Sequence, residues 1–149
     1  MRTANRVALL AWGCIFAMAP ASADGVPELV VSGDRVPKPL SAGSGDAARG
    51  RALVLAREDA NCLLCHAVSD PGVRFAGNIG PSLDGVGKRL DPGQLRLRVA
   101  DDARVNPSTI MPSYYRIDGL DRVAAAYRGR PILDGGQIED IVAWLVTLR

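Results

Sequence analysis

The sequence predicts a small all-α domain that follows an extended N-terminal arm. Apolar residues recur at helical spacing from about Gly136 to Leu148, which indicates an amphipathic helix near the end of the chain. Upstream, Asp46 stands where a helix N-cap is expected, before a helical run that extends to about Ala60. A short strand at Leu29 to Ser32 is a weak alternative inside the arm, and no repeat is visible. The fold class is therefore expected to be helical.

The first element, residues 1–23, has the pattern of a secretory signal peptide. Arg2 and Arg6 form a positive region, residues 7–19 are apolar, and Ala21-Ser22-Ala23 is an A-x-A cleavage site. A transmembrane anchor is the alternative, but the apolar run is too short to span a bilayer with ease. We therefore expect export to the periplasm, with no membrane anchor.

Signal removal changes the length and the charge of the chain. Of 149 residues, 23 leave with the signal, so 126 remain, enough for one small domain. The signal carries two of the 18 Lys and Arg residues, so 16 face 16 Asp and Glu residues in a formally neutral mature chain. This balance gives no case for nucleic-acid binding. Residues 24–45 are rich in Pro, Gly and Ser and form the arm, and residues 46–149 form the domain.

The pentapeptide Cys62-Leu63-Leu64-Cys65-His66 is the attachment signature of a c-type haem. Thiols at positions i and i+3 lie on one side of a helical turn, so both reach the vinyl groups of one porphyrin edge. His66 follows as the proximal iron ligand. A zinc site would need about four ligands, and a thioredoxin-like motif would sit near a βαβ pattern. A disulfide between Cys62 and Cys65 is the remaining alternative.

The second axial ligand follows from a count of residues. His66 is the one histidine of the chain, and Met1 and Met18 leave with the signal peptide, so Met111 is the one internal methionine left. Pro112 restrains Met111 toward an extended conformation on a loop, where a thioether can approach an iron. A core methionine is the alternative. His/Met ligation raises the reduction potential and suits electron transfer.

The remaining segments complete the helical pattern. Residues 72–87 form a glycine-rich loop, and Pro92 opens a short helix that continues to about Val99. Arg96 and Arg98 alternate with apolar residues there, so a strand is the alternative. We expect the arginines of the second half to form a solvated face with ordinary salt bridges, or in some cases to contact haem propionates.

These elements resemble a single-haem cytochrome c of the small soluble type, which implies the fold and one covalent haem c. In that family the terminal helices cross at a glycine, and Gly50 matches that position, with Trp144 and Leu145 opposite. A proline after the haem motif accepts the histidine Nδ1–H with its carbonyl, and Pro81 matches it. Such a bond fixes the imidazole tautomer and strengthens its donor nitrogen. An ordinary turn proline is the alternative.

Four segments resemble the SoxX family of sulfur-oxidation cytochromes more specifically: residues 77–83, 95–99, 111–116 and 127–133. The resemblance runs from about Val36 to Arg149 and implies a periplasmic heterodimer with a haem-bearing SoxA-like subunit. In that family the pair couples thiosulfate oxidatively to a cysteine of the SoxYZ carrier protein, as an L-cysteine S-thiosulfotransferase. The X subunit accepts the electrons and passes them to a downstream cytochrome.

This resemblance implies no catalytic residue on the present chain. Cys62 and Cys65 are consumed by haem, so the sulfur chemistry is expected on the partner subunit. The arm and the loop around Tyr114 and Tyr115 are expected to serve the partner, because tyrosine is enriched at protein interfaces. Two other functions are open: a freely diffusing electron carrier, and a haem sensor with an exchangeable sixth ligand.

Overall fold

The computed structural model describes residues 26–58 and 60–149. The predicted signal peptide, with Cys14 and Met18, lies outside these residues. These two ranges contain four α-helices: α1 (Ala47–Leu55), α2 (Val86–Arg89), α3 (Pro92–Asp101) and α4 (Gly135–Leu145). Three 3₁₀ turns cover Cys62–Leu64, Asp102–Arg104 and Ala125–Tyr127. These helices agree with the predicted helical class.

The described part of the chain contains no named β-strand. The one β-bridge in this part of the chain joins Ser32 and Arg35 in the arm. The alternative of a strand at Leu29 to Ser32 is therefore wrong. In the same ranges, no helix combines the length and the apolar character that a membrane crossing requires.

Helix α1 begins where the sequence predicted and ends earlier. The side chain of Asp46 accepts a hydrogen bond from the backbone N–H of Arg49 at 2.8 Å, as an N-cap does. The helix stops at Leu55 and not near Ala60, because Ala56 turns to an extended backbone with ψ of 145°. Because the helix ends early, the Cys-containing segment does not continue α1.

Helices α1 and α4 cross in direct backbone contact at Gly50, as predicted. A Cβ atom at Gly50 would overlap the carbonyl oxygen of Asp140 and would lie 2.9 Å from the nitrogen of Ile141. The prediction that Trp144 and Leu145 stand opposite Gly50 is wrong, because the closest atoms belong to α4 about one turn earlier. Both residues are instead buried elsewhere in the core.

Helices α3 and α4 both begin with a capping box. In α3 the Asp91 side chain accepts from Gln94 N–H, and the Gln94 side chain accepts from Asp91 N–H. Asp134 and Gln137 make the same pair of bonds in α4. The helix predicted to open at Pro92 is therefore confirmed over its strand alternative, and α4 lies within the predicted range apart from its start at Gly135.

The arm is bound to its own domain through a buried ion pair. Arg96 of α3 and Glu139 of α4 form two hydrogen bonds, at 2.6 and 2.8 Å. Arg96 also donates to the carbonyl of Val36 at 2.7 Å, and Glu139 accepts from the N–H of Leu40 at 2.9 Å. Val36 is only 2% exposed. The arm was expected to serve a partner, but Val36 and Leu40 bind to the domain of their own chain. Arg96 is buried and does not belong to the solvated face expected for the arginines.

Candidate functional site

The five residues predicted for the cofactor site line one cavity. It has a volume of about 670 Å³ and lies between the Cys-containing turn, helix α3, helix α4 and two loops. Its wall includes Cys62, Cys65, His66, Pro81 and Met111. Much of the remaining wall is aliphatic, as expected for a cofactor pocket, and includes Val54, Leu83, Leu95, Val99, Leu133, Ile141 and Leu145.

A 3₁₀ turn positions the two cysteines. Asn61, with a left-handed φ of 46°, starts the turn Cys62–Leu64. The N–H groups of Cys65 and His66 both point to the carbonyl of Cys62, at 3.1 and 3.0 Å. Leu63 anchors the turn in the core, where it is buried. No disulfide joins the two thiols. Burial raises the pKa of the Cys62 thiol to about 11, so the thiol is protonated near neutral pH.

The loop after the motif orients the His66 imidazole. Nδ1 of His66 lies 2.7 Å from the carbonyl oxygen of Pro81, the hydrogen bond that the sequence predicted. A carbonyl only accepts, so Nδ1 carries the proton and the lone pair is on Nε2. Nε2 is therefore the nitrogen that is free to bind a metal.

Gly80 is a residue of the site that the sequence interpretation passed over. A Cβ atom on Gly80 would lie 2.5 Å from His66 Cε1, 2.7 Å from Nδ1 and 2.9 Å from Nε2. The backbone of the loop therefore runs directly against the imidazole ring, and only glycine leaves room for it. The signal was present in the sequence, because a glycine stands immediately before the proline that accepts the histidine proton.

Backbone hydrogen bonds fasten this loop to the motif. Gly80 N–H donates to the carbonyl of Cys65 at 2.9 Å, and Gly77 N–H donates to that of Leu63 at 2.8 Å. A Cβ atom on Gly77 would overlap the carbonyl oxygen of Leu64. Loop and motif therefore form one unit, in which the ring of His66 is held from one side.

Met111 approaches the cavity from a separate loop, as predicted. It is half-buried, and its N–H donates to the Thr109 hydroxyl at 3.2 Å. The hydroxyl of Ser113 donates to the carboxylate of Asp101, at the end of α3. The structure thus brings Met111 to the same cavity as His66, although the two residues are far apart in sequence.

Tyr114 and Tyr115 are core residues, so their predicted role at a partner interface is wrong. Their exposed fractions are 6% and 3%. The Tyr114 hydroxyl donates to the carbonyl of Ala60 at 2.7 Å, and burial raises its pKa to about 12. This bond joins the Met111 loop to the segment before the cysteines. A tyrosine side chain is compatible with both a surface and a core, so only the tertiary structure shows that these two residues are buried.

Two arginines line the cavity along with its apolar wall. Arg98 donates to Asp102 at 2.9 Å, and both residues belong to the wall. Arg89 donates to the backbone carbonyls of Asp84 and Ser82, at 2.7 and 3.0 Å. Guanidinium groups pair bidentately with carboxylates, so the wall suits a ligand that is largely apolar and carries acidic groups. Arg98 is one of the arginines for which the sequence left propionate contact open.

The donor set of the cavity fits a covalently attached haem. Two thiols, an imidazole with a free Nε2 and a thioether all border an aliphatic space of suitable size. Ile79 and Ile110, which belong to the same wall, are 65% and 76% exposed. They form an apolar rim at the surface, defined here as the cavity rim.

Comparison with known proteins gives an informative match among solved structures. No protein-family model matches the chain, and no curated protein sequence matches it. Among solved structures, the chain is similar to one in the crystal structure of SoxXA from P. pantotrophus. The two are 36% identical, the match covers 83% of this chain and 96% of that chain, and the TM-score is 0.76.

Proposed function

The chain belongs to the SoxX family, and we propose that it is the electron-transfer subunit of a SoxA–SoxX heterodimer in the periplasm. The pair would couple thiosulfate oxidatively to a cysteine of a SoxYZ-like carrier protein. This chain would accept the released electrons and pass them to a downstream cytochrome. Membership of the family rests on 36% sequence identity with a chain of the solved SoxXA complex, over 96% of that chain.

The observation that carries the cofactor proposal is the convergence of five predicted residues on one cavity. We assign one haem c to it, attached through thioethers to Cys62 and Cys65, with His66 and Met111 as axial ligands. When bound, such a haem supplies one-electron transfer. The wall of valine, leucine and isoleucine side chains keeps water from most of its surface, which favours a raised reduction potential.

The polypeptide around the cavity has distinct tasks in this proposal. The carbonyl of Pro81 holds the His66 proton on Nδ1, which would leave Nε2 free to bind the iron. Gly80 lets the loop pack flat against the imidazole. Met111, which lines the same cavity as His66, would be the second ligand, and a haem so held would have no open position for substrate. The second ligand from Met111 suits an electron carrier and not a site that binds substrate.

The cysteine content supports the division of labour between the two subunits. The described residues contain Cys62 and Cys65, and both are assigned to haem attachment. No thiol then remains in those ranges for sulfur chemistry. We therefore assign thiosulfate coupling to the partner subunit and no catalytic residue to this chain.

Isolation of the native protein from periplasm tests the subunit assignment. A tagged chain should bring down a second cytochrome in equimolar amount, and a haem count should exceed the single haem of this chain. The same experiment with the cavity-rim variant Ile110→Ser should show whether apolar contact at the cavity rim contributes to recovery of the second cytochrome. Purification of the chain alone, at its own monomer mass, would contradict the heterodimer.

A freely diffusing electron carrier is the second candidate, and two observations favour it. The arm packs through Val36 and Leu40 on its own domain, and Tyr114 and Tyr115 are buried. The arm and the two tyrosines, which were expected to contact a partner, are therefore packed within the chain itself. Native mass measurement of unfractionated periplasmic material distinguishes the two functions, because a carrier would appear at the monomer mass.

A further inference from the structure

Asp101 is a buried carboxylate that is bonded to residues on both sides of Met111. It lies at the C-terminal end of α3 with an exposed fraction of 0%. Its Oδ1 atom accepts the Ser113 hydroxyl, and Oδ2 accepts Arg104 Nε at 3.3 Å. Nη1 of Arg116 lies 3.8 Å from Oδ2. A carboxylate with so little exposure to water needs such partners, because burying an unpaired charge is costly.

The partners of Asp101 come from both sides of Met111 in sequence. Arg104 precedes the methionine, and Ser113 and Arg116 follow it. Asp101 therefore joins the two ends of the loop to the end of α3. The rest of the loop has little support of this kind, because Met111 N–H bonds locally to Thr109 and Pro112 has no N–H to donate.

The hydrogen bond from Ser113 is the bond to a helix that lies nearest to Met111 along the chain. In the described ranges, it is the one hydrogen bond that joins residues 110–113 to a helix. The next bond to a helix, from Tyr115 N–H to the carbonyl of Ala100 at 3.0 Å, comes two residues later, and Tyr114 between them is bonded to non-helical segments, Ala60 and Leu133. A bond to an ionised acceptor is stronger than one between neutral groups, so this tie is well suited to fix the loop.

We propose that Asp101 is a positioning residue for Met111, which acts through Ser113 to keep the thioether in the cavity. The inference rests on the proposed function, in which Met111 is an axial ligand of haem. The iron–sulfur bond to methionine is weak enough to be displaced by other ligands, so loop position decides how often the axial position opens. Loss of the tie should raise that frequency without loss of the covalently attached haem.

The test measures imidazole binding by the oxidised holoprotein in three variants. Ser113→Ala loses this charge-assisted hydrogen bond, and Asp101→Asn loses the charge that strengthens it. Each should therefore bind imidazole about tenfold more tightly than the unmodified protein. Both should also show a weaker sulfur–iron charge-transfer absorption. Asp140→Asn is the matched control, because Asp140 is a buried carboxylate paired with Arg49 on the α1 side of α4. It should lose stability and keep the original imidazole affinity.

The outcomes separate this inference from the proposed function. Wild-type imidazole affinity in both Ser113→Ala and Asp101→Asn would overturn the positioning role. If Asp101→Asn does not fold, Ser113→Ala carries the test alone, because it removes one hydroxyl and leaves the carboxylate with its arginines. Met111→Ala is the reference: an unchanged charge-transfer band there would refute methionine ligation itself, and with it both proposals. A change in Met111→Ala but in neither other variant would refute only the positioning role.

Discussion

Replacement of Gly80 by alanine should displace the His66 imidazole and change the haem that it ligates. The new Cβ atom would lie 2.5 Å from His66 Cε1, whereas ordinary contact begins at 3.4 Å, so ring or loop must move by the difference, about 0.9 Å. The loop cannot retreat freely, because Gly80 N–H is bonded to the carbonyl of Cys65 at 2.9 Å. The ring should therefore move, and its 2.7 Å bond to Pro81 should lengthen.

The expected magnitude follows from the cost of overpacking. Such a clash costs about 1–3 kcal/mol, which lowers the melting temperature of a domain of this size by about 4–12 °C. The reduction potential should rise, because an imidazole without its carbonyl partner is a weaker donor and stabilises the oxidised iron less. Thermal unfolding followed by circular dichroism and a spectroelectrochemical titration measure the two effects.

Gly43→Ala is the matched control for this experiment. Nothing lies within 4 Å of a Cβ atom at Gly43, and neither glycine has a positive φ. The two variants add the same methyl group and restrict the unfolded chain equally, so their difference isolates the contact with His66. A Gly80→Ala protein with the melting temperature and potential of Gly43→Ala would refute the account of how the imidazole is held.

Three further predictions concern the axial ligand and two ion pairs. Met111→Ala should keep its haem but lose the sulfur–iron absorption and have a lower potential, and an unchanged absorption spectrum would contradict ligation. Arg49 lowers the pKa of Asp140 below its ordinary 3.8, so the pair stabilises the fold fully above pH 3.8 and progressively less as the pH falls through the lowered pKa. Acid unfolding curves of wild type and Asp140→Asn should therefore differ above pH 3.8 and converge well below it, whereas a constant difference would exclude this linkage. Glu139→Gln should cost about 3–5 kcal/mol in denaturant unfolding, because Arg96 stays buried and loses its counter-charge, and a loss below about 1 kcal/mol would show that the pair is not needed.

The candidate site was predictable where chemistry restricts the choice of residue. The spacing of Cys62, Cys65 and His66 has few chemical uses, and elimination left Met111 as the sulfur donor. The structure brings these residues together around one cavity, and their roles as haem ligands stay a proposal. Pro81 was assigned from family resemblance, and its carbonyl lies at hydrogen-bond distance from His66.

The errors concern burial, which depends on the packing of distant segments. Tyr114 is as compatible with a surface as with a core, and its bond to Ala60 joins residues 54 positions apart. Arg96 was expected in solvent, because no local pattern reveals that Glu139 lies opposite on another helix. The same ion pair holds Val36, so the attachment of the arm was hidden for the same reason.

Helix ends were predictable where a side chain caps them. Asp46 marks the start of α1 because its carboxylate accepts a backbone N–H, a local interaction that composition reveals. The end of α1 has no such marker. Ala56 leaves the helical region although its side chain is compatible with a helix, and the change serves the turn that leads to Cys62.

Covalent haem attachment can be tested by the mass of the peptide that contains residues 62–66. The protein should be purified from periplasm, denatured, digested and analysed with and without prior acid–acetone extraction. This peptide should carry one haem that survives extraction, and Cys62→Ser with Cys65→Ser should yield the bare peptide. A wild-type peptide at its bare mass, or one with an internal disulfide, would contradict covalent haem attachment and the electron-transfer role built on it.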